Sequence, residues 1–451
     1  MDAAALLIRN VLFPAWVQKN RSARLSYLAE LERTQFQSAD ALQDHQWRLF
    51  KEILRHAFDH CAFYRKKFSA VGMTPDDVRT PEDIAKVPTT SKQEIQESLD
   101  ELIADTARRE LLIKDMTGGS TGSPLVFYYE KDRLDSRVAA TLRHNRWTGW
   151  DVGDKMAVLW GARRDMGGSA SLKVRLRTWI INRQIMLDAS AIDEARMRQF
   201  CDQLRRHRPR FILAYANTMA LFARFVQDLG QVPVQPRAII CSAEVLTPEN
   251  RSLIESTFDC PVYNRYGSRE FAVIASECNR HQGMHVNAEN LLVEVLADGA
   301  PSPKRDGEFL VTDLRNYAMP MIRYRTMDAG RLTAGQCDCG RTLPLIELSG
   351  GRSTDFLTAI SGQKVSGIVI ATYVITRLPG IRQVQFVQER PDAVTVRLAR
   401  GPAWSADTLK QLTARVRSFL GDTMAVDVEH VSEIPLERSG KYRFSISTLS
   451  A

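Results

Sequence analysis

Residues 117–124, TGGSTGSP, place three glycines, two threonines and two serines within eight positions. A run of residues without Cβ atoms lets a ligand approach the main chain. The bared N–H groups and neighbouring hydroxyls then suit phosphate oxygens. Neither of the two common phosphate loops matches. The Lys-Ser/Thr pair of a P-loop is missing, and Gly118, Gly119 and Gly122 are not spaced as a dinucleotide fingerprint. Taken alone, the stretch fits an ordinary flexible turn equally well. A second group is rich in sulfur. Cys278 and His285 stand in ECNRHQGMH, and Cys337 and Cys339 in QCDCGRT. Together they offer three thiols and an imidazole, a tetrahedral set for structural zinc. The spacing is not that of a standard finger, so four unrelated side chains are an equal reading from spacing, and His281 is a competing imidazole. Cys61, Cys201, Cys241 and Cys260 fit no ligand pattern and read as core residues.

The elements that must hold these residues follow from periodicity. Residues 20–105 read as a helical lead-in, because LQDHQWRLFKEILRHAFDHCAFYRKKF repeats apolar residues at three- and four-residue spacing. Short capped helices separated by prolines follow. From about 110 to 315, the strand-like runs KMAVLW, RFILAYA, RAIICSA, PVYNRYG and NLLVEVLA alternate in part with helical segments at 218–229 and 248–258. That alternation predicts a largely parallel α/β core. Residues 307–325 read as further strands. After SGGRSTD at 349–355 the texture changes to short strands around one helix, SADTLKQLTARVRSFLG, with Leu409, Leu412, Val416 and Leu420 on one apolar face. A boundary near residue 352 is expected, giving a domain of 1–351 with its lead-in at 1–105 and an α+β domain of 352–451.

Composition bounds the function. The 451 residues, 44% hydrophobic and 25% charged, are those of an ordinary globular protein of two or three domains. No apolar run approaches the ~20 residues that span a bilayer. The first residues, MDAAALLIRNVLFPAWVQKNRS, make a poor signal peptide because residue 2 is acidic and Arg9 interrupts the apolar stretch. They read as an amphipathic helix packed on the core, with peripheral contact to a membrane left open. The net charge is +8. Its arginine-rich segments read as solvated helix faces, or as partners of a polyphosphate such as ATP or coenzyme A. Nucleic acid is not expected, since no stacking motif accompanies the charge. Seven scattered cysteines argue against a disulfide framework and for the cytoplasm.

Five motifs in series narrow the reading: TGGSTGSP at 117–124, YGSRE at 266–270, RYRTMD at 323–328, GRSTD at 351–355 and ERSGKYR at 437–443. In that order they resemble the adenylate-forming superfamily of acyl-CoA synthetases, and within it the phenylacetate–CoA ligase family, including relatives from capsular-polysaccharide gene clusters. The resemblance spans nearly the whole chain. It implies a large N-terminal domain with mixed sheets, a small mobile C-terminal α+β domain, and the use of ATP, Mg²⁺ and coenzyme A.

By this resemblance Thr117, Ser120, Thr121 and Gly122 cradle the β- and γ-phosphates. Tyr266, beside Gly267, stacks on adenine, and Glu270 holds Mg²⁺; a buried core aromatic is the alternative for Tyr266. Asp328 receives the ribose hydroxyls, Arg352 contacts ribose or phosphate, Asp355 is the hinge, and Lys441 reaches the reacting groups. Tyr215, Ala216, Ser242 and Ala243 line the pocket for a small carboxylic acid, aryl or otherwise, with Trp160 nearby; for Tyr215 and Trp160 a place in the strand core is an equal reading. The cysteine–histidine set becomes a structural zinc site. The chain departs from the pattern at Ser123, where the loop often has lysine, at Met327, commonly glycine, and at Asn217 in the pocket. The implied reaction forms an acyl-adenylate and transfers the acyl group to the thiol of coenzyme A. Transfer to an amine, a sugar or a carrier protein, or a catalytically silent nucleotide-binding scaffold, are the alternatives. A homodimer stays open.

Overall fold

The computed structural model describes residues 2–117, 125–160, 183–189, 194–302, 305–352, 356–362, 364–367, 370–371, 374, 378–401, 403–435 and 443–449. The lead-in is helical. In the helix Ala39–His60, Ser38 caps the start by accepting from the Ala41 N–H, and Leu42, Leu49, Phe50, Ile53, Leu54 and Ala57 form its buried stripe. The short turns Pro75–Asp77 and Pro81–Lys86 each open on proline behind a threonine capping box.

Strands β1 (Ile113–Met116) and β2 (Val126–Tyr129) pair as an antiparallel hairpin around the glycine loop. The next twelve strands are β3 (Met156–Trp160), β4 (Gln184–Asp188), β5 (Phe211–Tyr215), β6 (Ala238–Ser242), β7 (Val262–Ser268) and β8 (Ala272–Glu277), then β9 (Met284–Val286), β10 (Leu291–Ala297), β11 (Ala300–Pro301), β12 (Gly307–Asp313), β13 (Tyr324–Thr333) and β14 (Leu345–Arg352). They form one sheet in the order β11-β10-β12-β13-β14-β9-β8-β7-β6-β5-β3-β4.

The expected parallel core is confined to β4, β3, β5, β6 and β7. Only residues 269–271 join β7 to β8, too few for a crossover. The chain therefore turns back, and every pair from there to the β11 edge is antiparallel. Helices Glu194–His207, Ala216–Leu229 and Pro248–Phe258 bury their apolar faces against the parallel strands. The lead-in helices cover the antiparallel part.

Toward the C-terminus, β15 (Phe356–Thr358) pairs with β16 (Lys364–Ser366). Strands β17 (Ile381–Arg390), β18 (Ala393–Arg400), β19 (Ala425–His430) and β20 (Ser445–Ser447) form a separate sheet in the order β19-β18-β17-β20. The helix Ala406–Leu420 buries Thr408, Leu412, Val416 and Leu420. Leu409, expected on that face, is only half-buried, because Thr408 takes the inner position and donates its hydroxyl to the Pro379 carbonyl at 3.2 Å. Cys61, Cys201, Cys241 and Cys260 are buried core residues, and burial pushes the thiols of Cys61 and Cys260 up to about 12. Among the described residues no helix is long and apolar enough to cross a membrane.

Candidate active site

Open α/β sheets gather ligands beyond the carboxyl ends of their parallel strands. Register sets Asp188 beside Trp160, Tyr215 beside Ser242, and Ser242 beside Arg265 at those ends. The four pocket residues read from the sequence therefore meet at one edge, next to the YGSRE turn that follows Arg265. Tyr215 is buried, its ring 4.3 Å from that of Trp160, and it precedes the helix that begins at Ala216. Ser242 donates its hydroxyl to the Arg265 carbonyl at 3.0 Å, and Ala243 turns the chain out of β6 with φ of +64°. The Asn217 N–H donates to Glu244 at 2.8 Å, so a carboxylate already occupies the positive end of that helix.

The turn after β7 depends on Gly267. A Cβ there would stand 2.3 Å from the Ala272 carbonyl oxygen, so only glycine lets β7 and β8 close at the bulge between Tyr266 and Gly267. The closure fixes Tyr266, whose buried ring lies 5.8 Å from that of Phe309 and whose hydroxyl donates to Asp328 Oδ2 at 2.8 Å. Burial, with the Asp328 carboxylate alongside, raises the Tyr266 phenol well above its usual range and keeps it a neutral donor. Across β13 and β14, Asp328 stands opposite the backbone of Arg352. Glu270, in the same turn as Gly267, accepts from the Tyr324 hydroxyl at 3.3 Å.

The glycine loop is tied to this turn from below. Thr117 closes it: its N–H donates to the Leu125 carbonyl and its hydroxyl accepts from the Leu125 N–H, both at 2.9 Å. Two residues earlier, Asp115 pairs with Arg269 at 3.4 Å. Arg137 donates to the Arg269 carbonyl and lies over the Tyr129 ring at 4.6 Å. Thr117, Tyr266, Gly267, Glu270, Asp328 and the Arg352 backbone are thus linked through one framework. Ser120, Thr121, Gly122, Asp355 and Lys441 lie outside the described residues. Sequence reasoning missed Asp115, Arg137, Arg269 and Tyr324. The one available signal was the arginine inside YGSRE, an added cation beside a candidate phosphate turn.

Met327 carries a φ of +63° and is 40% exposed, with its N–H donating to Glu308 Oε1 at 3.0 Å. That left-handed geometry favours glycine and costs other residues about 1–2 kcal/mol, part of which is offset by the greater chain entropy that glycine loses on folding. Met327→Gly is therefore expected to raise stability by about 0.5–1 kcal/mol, read as a higher denaturant midpoint. An unchanged or lower midpoint would show that the methionine side chain compensates locally.

The sulfur-rich residues also meet. The ligand atoms of Cys278, His285, Cys337 and Cys339 all lie within 4.8 Å of one another. Cys278 Sγ is 3.6 Å from Cys337 Sγ, and Cys339 Sγ is 3.4 Å from His285 Nε2. Tetrahedral ligands around zinc, with Zn–S of about 2.3 Å and Zn–N of about 2.0–2.1 Å, stand roughly 3.8 Å apart for two sulfurs and roughly 3.5 Å apart for sulfur and nitrogen. The cluster fits the ion. His285 is fully buried, and burial lowers its pKa to about 4, leaving the neutral imidazole a ligand requires. His281 is turned away, its Nδ1 3.1 Å from Glu277 and its ring 4.8 Å from Tyr263.

Comparison with known proteins accords with this geometry. A 2-hydroxyisobutyryl-CoA ligase in its postadenylation state superposes with a TM-score of 0.73 at 20% identity, covering 92% of this chain and 91% of that one. The fold is that of the adenylate-forming enzymes. Residues 357–448 match the CapK C-terminal domain. Over 443 residues the chain is 25% identical to protein CapK of Staphylococcus aureus, covering 94% of this chain and 92% of the relative. Over 339 residues it is 28% identical to phenylacetate-coenzyme A ligase of Pseudomonas putida, covering 73% and 74%. The chain is homologous to CapK and to the phenylacetate–coenzyme A ligases.

Proposed function

We propose that the protein is an ATP-dependent acid–thiol ligase that activates a small carboxylic acid as its adenylate and passes the acyl group to coenzyme A. The observation that carries this reading is the linked set of Tyr266, Asp328 and Glu270 beside the closed base of the glycine loop, at the carboxyl edge of the parallel strands. Thr117 and the loop beyond it would hold the β- and γ-phosphates. Asp328, oriented by Tyr266, would receive the ribose hydroxyls, and Arg352 would meet ribose or phosphate. Glu270 is the residue that would hold Mg²⁺, whose charge offsets that of the phosphates.

The acid enters beside Tyr215, Ala216, Ser242 and Ala243, and its carboxylate oxygen attacks the α-phosphorus. The bond to pyrophosphate breaks, and an acyl-adenylate forms. Lys441 would neutralise the charge developing there. A swing about Asp355 would then admit the thiol, which attacks the acyl carbonyl, loses its proton and expels AMP. Positioning and fixed charge supply most of the acceleration. The cluster of Cys278, His285, Cys337 and Cys339 would hold a structural zinc with no open position, bracing the strands and taking no part in the chemistry.

Ser123 leaves the loop without the lysine often found at its end, and Arg269, paired with Asp115 two residues before Thr117, would take over. Arg269→Ala is expected to lower kcat/KM for pyrophosphate release about 10–100-fold, the effect of one charge-assisted contact of roughly 1.5–3 kcal/mol. A change under threefold would remove it from the phosphate site.

A second reading keeps the adenylation and sends the acyl group to an amine, a sugar or a carrier-protein thiol. It is favoured by the wider alignment with CapK than with the ligases and by the CapK-type C-terminal segment. Product analysis separates the two. An acyl-CoA formed only when coenzyme A is present supports the ligase, whereas free adenylate that persists with coenzyme A supports the second.

A further inference from the structure

The first helices present an exposed apolar face. Ala3–Leu7, a wider turn at Ile8–Leu12, and Phe13–Lys19 follow one another without a break. Ala5, Ile8, Phe13 and Val17 face the protein and are buried. On the outside, Leu6, Leu7, Val11 and Leu12 are 40%, 52%, 52% and 38% exposed, four of the twelve exposed large apolar side chains among the described residues. Between residues 3 and 15, Asn10 is the one exposed polar residue. Such a concentration marks an interaction surface.

Its surroundings are basic. A depression of about 550 Å³ beside Leu6 is lined by Arg9, Arg146, Arg210 and Arg237 together with Asp2, Asp151 and Asp154. The acids are engaged: Arg9 and Arg146 hold Asp151, Arg9 also holds Asp154, and Arg183 holds Asp2. Arg210 and Arg237 form no ion pair among the described residues. They immediately precede β5 and β6, at the amino ends of the parallel strands and opposite the edge that carries the candidate site.

We propose that this face rests on an anionic phospholipid bilayer. Leu6, Leu7, Val11 and Leu12 would enter the acyl boundary, and Arg210 and Arg237 would meet headgroup phosphates. The candidate site would then open toward water. A second copy docked on the same face by a two-fold axis would bring these uncompensated arginines together, whereas anionic lipid complements them.

Cosedimentation of the full chain with phosphatidylcholine vesicles, with and without phosphatidylglycerol, tests the proposal. Binding is expected only to the anionic vesicles, and salt at about 0.5 M should weaken it strongly. The pair Leu7→Glu with Val11→Glu, and separately Arg210→Glu with Arg237→Glu, should each lower vesicle affinity by about tenfold or more. Unchanged melting temperatures would certify that these variants are folded. Absence of binding to anionic vesicles, or equal binding by folded variants, would overturn the proposal. So would a dimer in light scattering that Leu7→Glu with Val11→Glu splits into monomers, since the face would then belong to a second copy.

Discussion

Cys278→Ser is expected to remove a bound zinc from the protein and to lower its melting temperature by roughly 10 °C, since loss of a structural metal falls among the large destabilisations of about 4 kcal/mol or more. The reason lies in where the four ligands come from. Cys278 follows β8, His285 belongs to β9, and Cys337 and Cys339 lie in the segment leading to β14. One ion would tie three neighbouring antiparallel elements, and the site is buried enough that no water can replace a lost ligand cheaply. Burial raises the Cys278 thiol above its usual range, which disfavours the bare thiolate when no metal is bound. Bound zinc would displace the thiol protons and turn the cluster into a cross-link. Metal analysis of protein purified without chelator should find one zinc per chain in the wild type and none in the variant. Zinc-free wild type, or a variant that melts at the wild-type temperature, would refute the structural role.

Lys441→Ala is expected to slow adenylate formation about 10²–10³-fold while leaving ATP affinity within a fewfold, the signature of a contact made in the transition state of roughly 3–4 kcal/mol. When the carboxylate attacks the α-phosphorus, negative charge gathers on the oxygens around it, and a water-poor site makes a single positioned ammonium worth more than in solution. Single-turnover measurement of acyl-adenylate, paired with an ATP titration, separates chemistry from binding. Equal losses in both would recast Lys441 as a binding residue, and no loss in either would remove it from the site.

What the sequence discloses differs by element. The parallel strands are readable because burial on both faces makes them continuous apolar runs, and Pro248–Phe258 because Thr247 caps it and proline opens it. The reversal at β8 is hidden, since a three-residue turn after an apolar strand looks like the start of any loop. Motif residues could be placed because each sits in a distinctive short string. The contacts that join the strings could not: Arg269 meets Asp115 across 154 positions, and Tyr324 meets Glu270 across 54. No local pattern encodes such pairs. Met327 shows the opposite case, where a single unusual residue in RTMD marked a position whose left-handed backbone the structure then displays.

The most direct test of the account is pyrophosphate release from ATP and Mg²⁺ across a panel of aryl and aliphatic acids, with and without coenzyme A. The account predicts release that depends on one class of acid, with acyl-CoA accumulating when the thiol is supplied. A protein that binds ATP in titration yet releases no pyrophosphate with any acid would contradict it and leave a nucleotide-binding scaffold on an adenylate-forming fold.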